Sequence, residues 1–368
     1  MFLYIIIQSL KMCKRSRAAA KGRNVTMMKR TLAPLLLFVL LTLLLPLLAA
    51  ALTPAAGGGA VVFSPASASA AANRAAPGAL SAAADTVKLL DSGSGEVITM
   101  PLRDYLIGAA ASELPISFQK EAFKAQIVAA HSYALASRDA QAAAPDAALK
   151  GAWFKAGPAR HEGTILPAGL KALWGERYDA NYTYVAALVD EVGGEVLLYD
   201  GKPAFAAYHA ISNGKTETSE AVWGRALPYW VSVGSPLDAT SPDYEKTVTL
   251  SAQDVYDKLN LAFLALDLRG KPSEWFGAPV RDAAGYIQTM PVGGQTLPGT
   301  ELRAALGLRS ADFDVAVGAD NQFTFTTRGY GHGVGLSQYG ANAMAVAGKT
   351  YREILAAYYP GTMLGSAS

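Results

Sequence analysis

Only one of the 368 residues is a cysteine, Cys13. It precedes the long apolar run, so the chain after that run has no thiolate to bind a metal, attack a substrate or close a disulfide. Its stability must come from packing. Histidine is nearly as scarce. His131, His161, His209 and His332 form no pair at the H-x-x-x-H spacing of a helical zinc site, so no catalytic metal and no cofactor is expected. Clustered positive charge is missing from the body of the chain as well. Eight of the 32 Lys and Arg (Lys11, Lys14, Arg15, Arg17, Lys21, Arg23, Lys29 and Arg30) lie in residues 1–30, where there is no acid. The other 24 face 30 Asp and Glu. Phosphate contacts need grouped cations, so nucleic acid is excluded as a partner.

The basic head, residues 1–32, belongs to membrane topology instead. Residues 33–52, Ala33-Pro-Leu-Leu-Leu-Phe-Val-Leu-Leu-Thr-Leu-Leu-Leu-Pro-Leu-Leu-Ala-Ala-Ala-Leu52, carry no charge. As a helix they would span about 30 Å, the thickness of a bilayer core. The preceding cations stay in the cytoplasm, which predicts a single-pass protein of the cell membrane with everything after Leu52 outside. The alternative is a cleaved signal, with Ala49-Ala50-Ala51 offering small residues to a peptidase and a secreted product. Met27-Met28-Lys29-Arg30 also reads as an ordinary start, so residues 1–26 fit an over-called initiation site. Residues 53–84 lack large side chains almost entirely, being Ala, Pro, Gly and Ser. Such a segment cannot bury enough surface to offset its ordering entropy, and it reads as a flexible tether.

From residue 85 the pattern changes. Val87–Leu90 and Glu96–Met100 read as strands around the turn at Gly93–Gly95, and Pro101–Ala111 as a helix with Pro just inside its start. Pro115 ends that helix. Another begins near Ser117 with an apolar stripe at Phe118, Ala122, Ala125, Ala129 and Tyr133. Residues 140–150 read as a loop or weak helix and residues 185–234 as strands, with a hairpin turn at Asp200-Gly201. Helices are expected at 251–266, 300–307, 341–347 and 350–358, and a strand at Gln322–Thr326. There is no internal repeat. This order predicts an α+β fold, a central mixed sheet with flanking helices in one body or two lobes.

Three places could carry chemistry. Glu113 precedes Leu114-Pro115 among Ala and Leu with no neighbouring cation. Apolar surroundings disfavour the charged form, which suits a general acid, though a surface glutamate at a helix end has the same sequence. His209 ends a strand inside Tyr208-His-Ala-Ile-Ser-Asn-Gly-Lys-Thr-Glu217, a run of hydroxyls, amides and Lys215 suited to hydrogen bonding a sugar. His332 sits in Gly329-Tyr-Gly-His-Gly-Val-Gly-Leu-Ser-Gln-Tyr-Gly340. Four alternate glycines let backbone approach a ligand, with Tyr330, His332, Ser337 and Gln338 around it; a tight turn holding a satisfied histidine fits equally. The segment Gly335–Gly340 is not the G-x-S-x-G elbow, because its second glycine falls one residue late.

Three segments carry a resemblance. They are Tyr105–Pro115 continuing to Glu121-Ala-Phe-Lys-Ala-Gln-Ile-Val-Ala-Ala-His-Ser-Tyr133; Tyr208–Glu217 through Val222-Trp-Gly and Pro228-Tyr229; and Leu308-Arg-Ser, Gly329–Met344, Tyr351-Arg-Glu-Ile-Leu and Tyr358-Tyr-Pro-Gly-Thr. In this order they resemble the sporulation stage II protein D family (SpoIID/LytB), wall proteins of spore-forming bacteria, across residues 85–364. The resemblance implies a peptidoglycan lytic transglycosylase acting on peptide-free glycan strands in septal wall remodelling, with Glu113 catalytic. It implies a substrate cleft lined by His131, Tyr133, Tyr208, His209, Ser212, Lys215, Tyr330, His332, Ser337 and Gln338. It also implies an alternative, a glycan-binding modifier that stimulates a separate cell-wall amidase, and partners in the membrane-bound engulfment machinery. Two departures stand out. His131-Ser132-Tyr133 replaces the family's Arg-Thr-Tyr, and Ser212-Asn213-Gly214 replaces Ser-Gly-Gly. The Cys/His zinc cluster of some members is absent, so no metal is carried over.

Overall fold

The computed structural model describes residues 86–157 and 163–366. The basic head, the expected anchor at 33–52 and the linker at 53–84 lie outside these. Among the described residues no helix is long and apolar enough to cross a membrane.

The fold opens with the expected hairpin. Strands β1 (Thr86–Asp91) and β2 (Val97–Pro101) pair antiparallel. The Asp91 carboxylate closes their turn by accepting from the Gly93 and Ser94 amides at 3.0 and 3.1 Å. Helix α1 (Leu102–Glu113) follows, with Pro101 as its N-cap residue rather than inside it. Pro115 disfavours helical backbone at Leu114, which is extended, so Glu113 becomes the last helical residue. Helix α2 (Lys120–Ala143) folds back on α1 and keeps Ala122, Ala125 and Ala129 at most 1% exposed. Those small side chains let the two helices approach closely. Four residues of the 140–150 stretch still extend α2, and a single 3₁₀ turn follows at Ala147–Leu149. Strand β3 (Phe154–Ala156) then adds to β1 in parallel, making a mixed three-stranded sheet.

The chain continues through α3 (Pro167–Trp174) and α4 (Tyr178–Val192). Helix α4 corrects the expectation of strand from residue 185. Val185, Ala186, Leu188, Val189 and Val192 are all buried, a helical spacing that β-branched composition concealed. Beyond it β4 (Glu195–Tyr199) and β5 (Lys202–Pro203) form the expected hairpin, whose turn residues Asp200 and Gly201 have φ of 49° and 73°. Two short elements follow, β6 (Tyr208–His209) and α5 (Ser219–Trp223).

A second apolar cluster forms in the next stretch. It draws on β7 (Glu245–Ser251), α6 (Ala252–Ala262), β9 (Ile287–Val292), β10 (Gln295–Pro298), α7 (Gly299–Leu306), β11 (Phe313–Val317) and β12 (Gln322–Arg328), while the short β8 (Val280–Arg281) only pairs with β9 at its edge. Phe313, Phe323 and Phe325 at its centre are fully buried, and each contributes roughly 1.5–3 kcal/mol by burial alone. The chain then returns to the first cluster through β13 (Leu336–Ser337), α8 (Gln338–Val346), α9 (Tyr351–Tyr358) and β14 (Met363–Ser366), the last pairing with β4. The class is α+β as expected. The architecture differs from one central mixed sheet, because the strands divide into several small sheets of two or three strands.

Candidate active site

Glu113 ends α1 as a half-buried residue, with its carboxyl closely surrounded by protein. Two donors reach it. Gln338 Nε2 donates to Oε2 at 3.0 Å, and the Gly163 backbone N–H also points at the carboxyl. Burial pushes Glu113 above the usual carboxylate range, and the two donors oppose that shift because they favour the ionised form. The approach of Gly163 follows from another glycine. A Cβ at Gly108, on the buried face of α1, would overlap the Ile165 carbonyl and Thr164 Oγ1. Its absence lets residues 163–165 lie on the helix, where Thr164 Oγ1 donates to the Tyr105 carbonyl at 3.3 Å.

Gln338 arrives from the glycine-rich segment. Leu336 and Ser337 pair in parallel with Tyr208 and His209, bringing the second and third motif segments together. That ladder needs Gly335, whose φ is +73° and whose Cβ would strike the Ala207 carbonyl. Ser337 then caps α8 by accepting from Gly340 N at 3.2 Å, which sets Gln338 on the first turn facing Glu113. Tyr208 enters from β6. Its phenol and that of Tyr105 both feel the Glu113 charge, and burial holds both far above the usual tyrosine range, so they stay neutral. Tyr133, half-buried, stands beside them with its ring 5.6 Å from Phe154 and 6.1 Å from Phe205.

The remaining residues named from sequence divide by environment. His131 is fully buried on α2, next to Ala130, whose carbonyl accepts from Tyr105 Oη at 3.5 Å. His332 Nδ1 accepts from Val334 N at 3.1 Å, and its protonated nitrogen faces the Tyr208 carbonyl. His209 Nδ1 donates to Val334 O at 3.1 Å. Burial lowers His332 to about 3 and His209 to about 4, so both are neutral imidazoles tied to backbone. Ser212 and Ser337 face inward: both donate to Asp238, Ser337 at 2.8 Å, and neither has exposed surface. Lys215 is exposed with Nζ 3.4 Å from the Ala283 carbonyl. Tyr330, 45% exposed, carries the Arg309 guanidinium 4.7 Å above its ring.

Sequence reading missed Asp238, Gln126, Gly163 and Glu217. Asp238 collects Ser212, Ser235 and Ser337 as donors and so ties the two polar segments together beneath the cleft. Gln126 lies fully buried in the apolar stripe of α2, where a long amide among alanines was the available signal. Gly163 had none. Glu217 is raised to about 8 by burial and by a hydrogen bond with Asp282. Among the described residues no three His, Cys, Asp or Glu are grouped to hold a metal.

Glu113, Tyr208 and Gln338 come from the three motif segments, and the chain as a whole is similar to proteins of known name. The family described as stage II sporulation protein (SpoIID) matches residues 91–199. The chain is 36% identical to stage II sporulation protein D of Bacillus subtilis (strain 168) over 293 residues, covering 78% of this chain and 81% of that protein. It is 34% identical to the Bacillus amyloliquefaciens protein of the same name, over 80% of this chain and 83% of the relative. This chain therefore belongs to the stage II sporulation protein D family. It is also 27% identical to a Bacillus subtilis protein named amidase enhancer, over 71% of this chain and 40% of that longer protein.

Proposed function

We propose that this chain is a lytic transglycosylase of peptidoglycan, exported and held at the cell membrane by residues 33–52, with Glu113 as its acid/base catalyst. The observation that carries the reading is the environment of Glu113. Burial and two neutral donors act on it, and neither a cation nor a second carboxyl is among its described neighbours. A hydrolytic glycosidase generally works with two carboxyl groups. A single carboxyl suffices where the sugar supplies its own nucleophile, held at high effective concentration. Protonated Glu113 gives its proton to the oxygen leaving C1 of the muramic acid residue. The 6-hydroxyl of that residue then bonds to C1, and its proton passes to the Glu113 carboxylate. The products are a free glucosamine 4-hydroxyl and a 1,6-anhydro end, no water is consumed, and the enzyme recovers its starting form.

Burial retains the proton that the first step uses, and Gln338 and Gly163 support the carboxylate needed for the second. Tyr105 and Tyr208 stay neutral and add no competing charge. Tyr133, Tyr208, Lys215, Tyr330 and His332 are the partly or fully exposed members of the expected cleft and are assigned to the sugar. His131, His209, Ser212 and Ser337 shape it from within. The test is release of soluble fragments from peptide-free glycan strands. Wild type cleaves, and Glu113→Gln retains strand binding without cleavage. Equal cleavage by both forms would overturn the role of Glu113.

A second reading draws on the relative named amidase enhancer and on His131 in place of the family arginine. There the chain holds glycan and stimulates a separate cell-wall amidase. In that case strands stay intact, while stimulation of the amidase is equal for wild type and Glu113→Gln.

A further inference from the structure

The hydrogen bond that supports Glu113 does not end at Gln338. The same Nε2 group of Gln338 lies 3.0 Å from Glu113 Oε2 and 3.4 Å from Gln126 Oε1. Gln338 is 6% exposed and Gln126 is fully buried, so bulk water is not the ordinary partner of either amide. One polar atom in this row has no partner among the described residues, Nε2 of Gln126. A buried amide N–H left unpaired costs about 1–3 kcal/mol, so its place in this row needs a reason.

We propose that Gln338 and Gln126 form an amide relay that reverses with the proton on Glu113. With Glu113 ionised, the NH₂ of Gln338 donates to both neighbouring oxygens, as observed, and Nε2 of Gln126 is left over. With a proton on Glu113 Oε2, a hydroxyl donor faces that NH₂ donor. Half a turn about the last side-chain bond of Gln338 exchanges its NH₂ for its oxygen at nearly constant shape. The oxygen then accepts from the Glu113 hydroxyl. Gln126, now presenting oxygen to oxygen, turns as well, and its unpaired Nε2 becomes the second donor to Gln338. The proton stays on Glu113 throughout, and only hydrogen bonds are exchanged. Gln338 and Gln126 are thus positioning residues that meet Glu113 with a partner in both of its protonation states, which a group alternating between acid and base requires.

The groups facing this row are few. Tyr105 of α1 and Tyr208 of β6 feel the Glu113 charge, and Tyr133 of α2 stands behind them; burial keeps all three phenols neutral. Gly163 contributes a backbone N–H, and His131 is fully buried five residues beyond Gln126 on α2.

The catalytic meaning of the relay rests on the proposed function, but the relay itself does not require glycan cleavage. The test is therefore made without substrate. Side-chain amide signals of the full chain, labelled with ¹⁵N-glutamine in detergent and assigned through their contacts in the wild-type spectrum, are followed against pH. The relay predicts that the signals of both Gln338 and Gln126 move with one midpoint, and that Glu113→Gln removes the titration of both. A titration confined to Gln338, or none at either residue, overturns it. Loss of cleavage with the paired titration intact would instead strike the proposed reaction and leave the relay standing.

Discussion

Two carboxyls enclosed by protein, Asp238 and Glu113, differ in how fully the structure satisfies them. Asp238 has no exposed surface and accepts from Ser212 N at 2.8 Å, from the Ser212 hydroxyl and from Ser337 Oγ at 2.8 Å. Nearby, Ser235 Oγ and Tyr358 Oη lie 2.6 Å apart. Glu113 has two donors and is only half-buried. Burial raises both groups, so the shift alone does not separate them. What separates them is satisfaction: a carboxylate with its lone pairs filled by the protein holds structure, and one with capacity to spare can exchange a proton with a ligand.

The largest effect expected from this contrast is on activity at Glu113. Glu113→Gln lowers the cleavage rate on peptide-free strands by roughly 10²–10⁴-fold, the usual worth of a positioned acid/base, while leaving the fold intact. The same variant is more stable than wild type above the ordinary glutamate range. Ionising a group whose pKa the fold has raised costs stability as pH climbs, and glutamine does not ionise. Thermal unfolding at neutral pH checks this, and a lower midpoint for Glu113→Gln would break the contrast.

Asp238→Leu should behave the other way round. It strands the Ser212 N–H and the Ser212 hydroxyl, each at about 1–3 kcal/mol, so denaturant unfolding shifts well before any rate does. Ser337→Ala is milder. It removes the cap of α8 and one Asp238 contact, for about 1–2 kcal/mol, and its effect on cleavage arises only through loosening of Gln338.

The imidazoles need no substitution to be tested, only a change of pH. His209 and His332 are lowered to about 4 and about 3, while in the unfolded chain each takes a proton near 6.5. The unfolded state therefore binds more protons below that pH, and stability falls as pH drops from about 6.5 toward 4. A flat unfolding midpoint across that window would mean that these rings are not the buried neutral groups described above.

Much of the site was legible in sequence, though unevenly. Glu113 could be picked out because Pro115 fixes where α1 stops and its neighbours are small and apolar. Gln338 could be picked out because glycines at alternate positions announce a close backbone approach, and Tyr208 because it opens a polar run that carries part of the family resemblance. The roles of Ser212, Ser337, His209 and His332 were less visible. A polar run in a loop reads as solvent-facing, and only the parallel pairing of β6 with β13 turns these side chains toward Asp238 and the backbone. Asp238 was missed because it lies between Pro236 and Thr240 in a short 3₁₀ turn that looks like a surface loop. Among the fold elements, α4 was misread because Val185, Val189 and Val192 carry strand propensity, and packing overrode it. The second apolar cluster was not foreseen, since nothing local marks which cluster a phenylalanine joins.

The most direct test of the central claim is mass spectrometry of the strand ends left after the protein acts on peptide-free glycan, with wild type and Glu113→Gln side by side. The account predicts new 1,6-anhydro ends from wild type alone. Ordinary reducing ends would contradict it by requiring a water nucleophile and a second carboxyl. Intact strands from folded wild-type protein would contradict it in favour of the amidase-stimulating module.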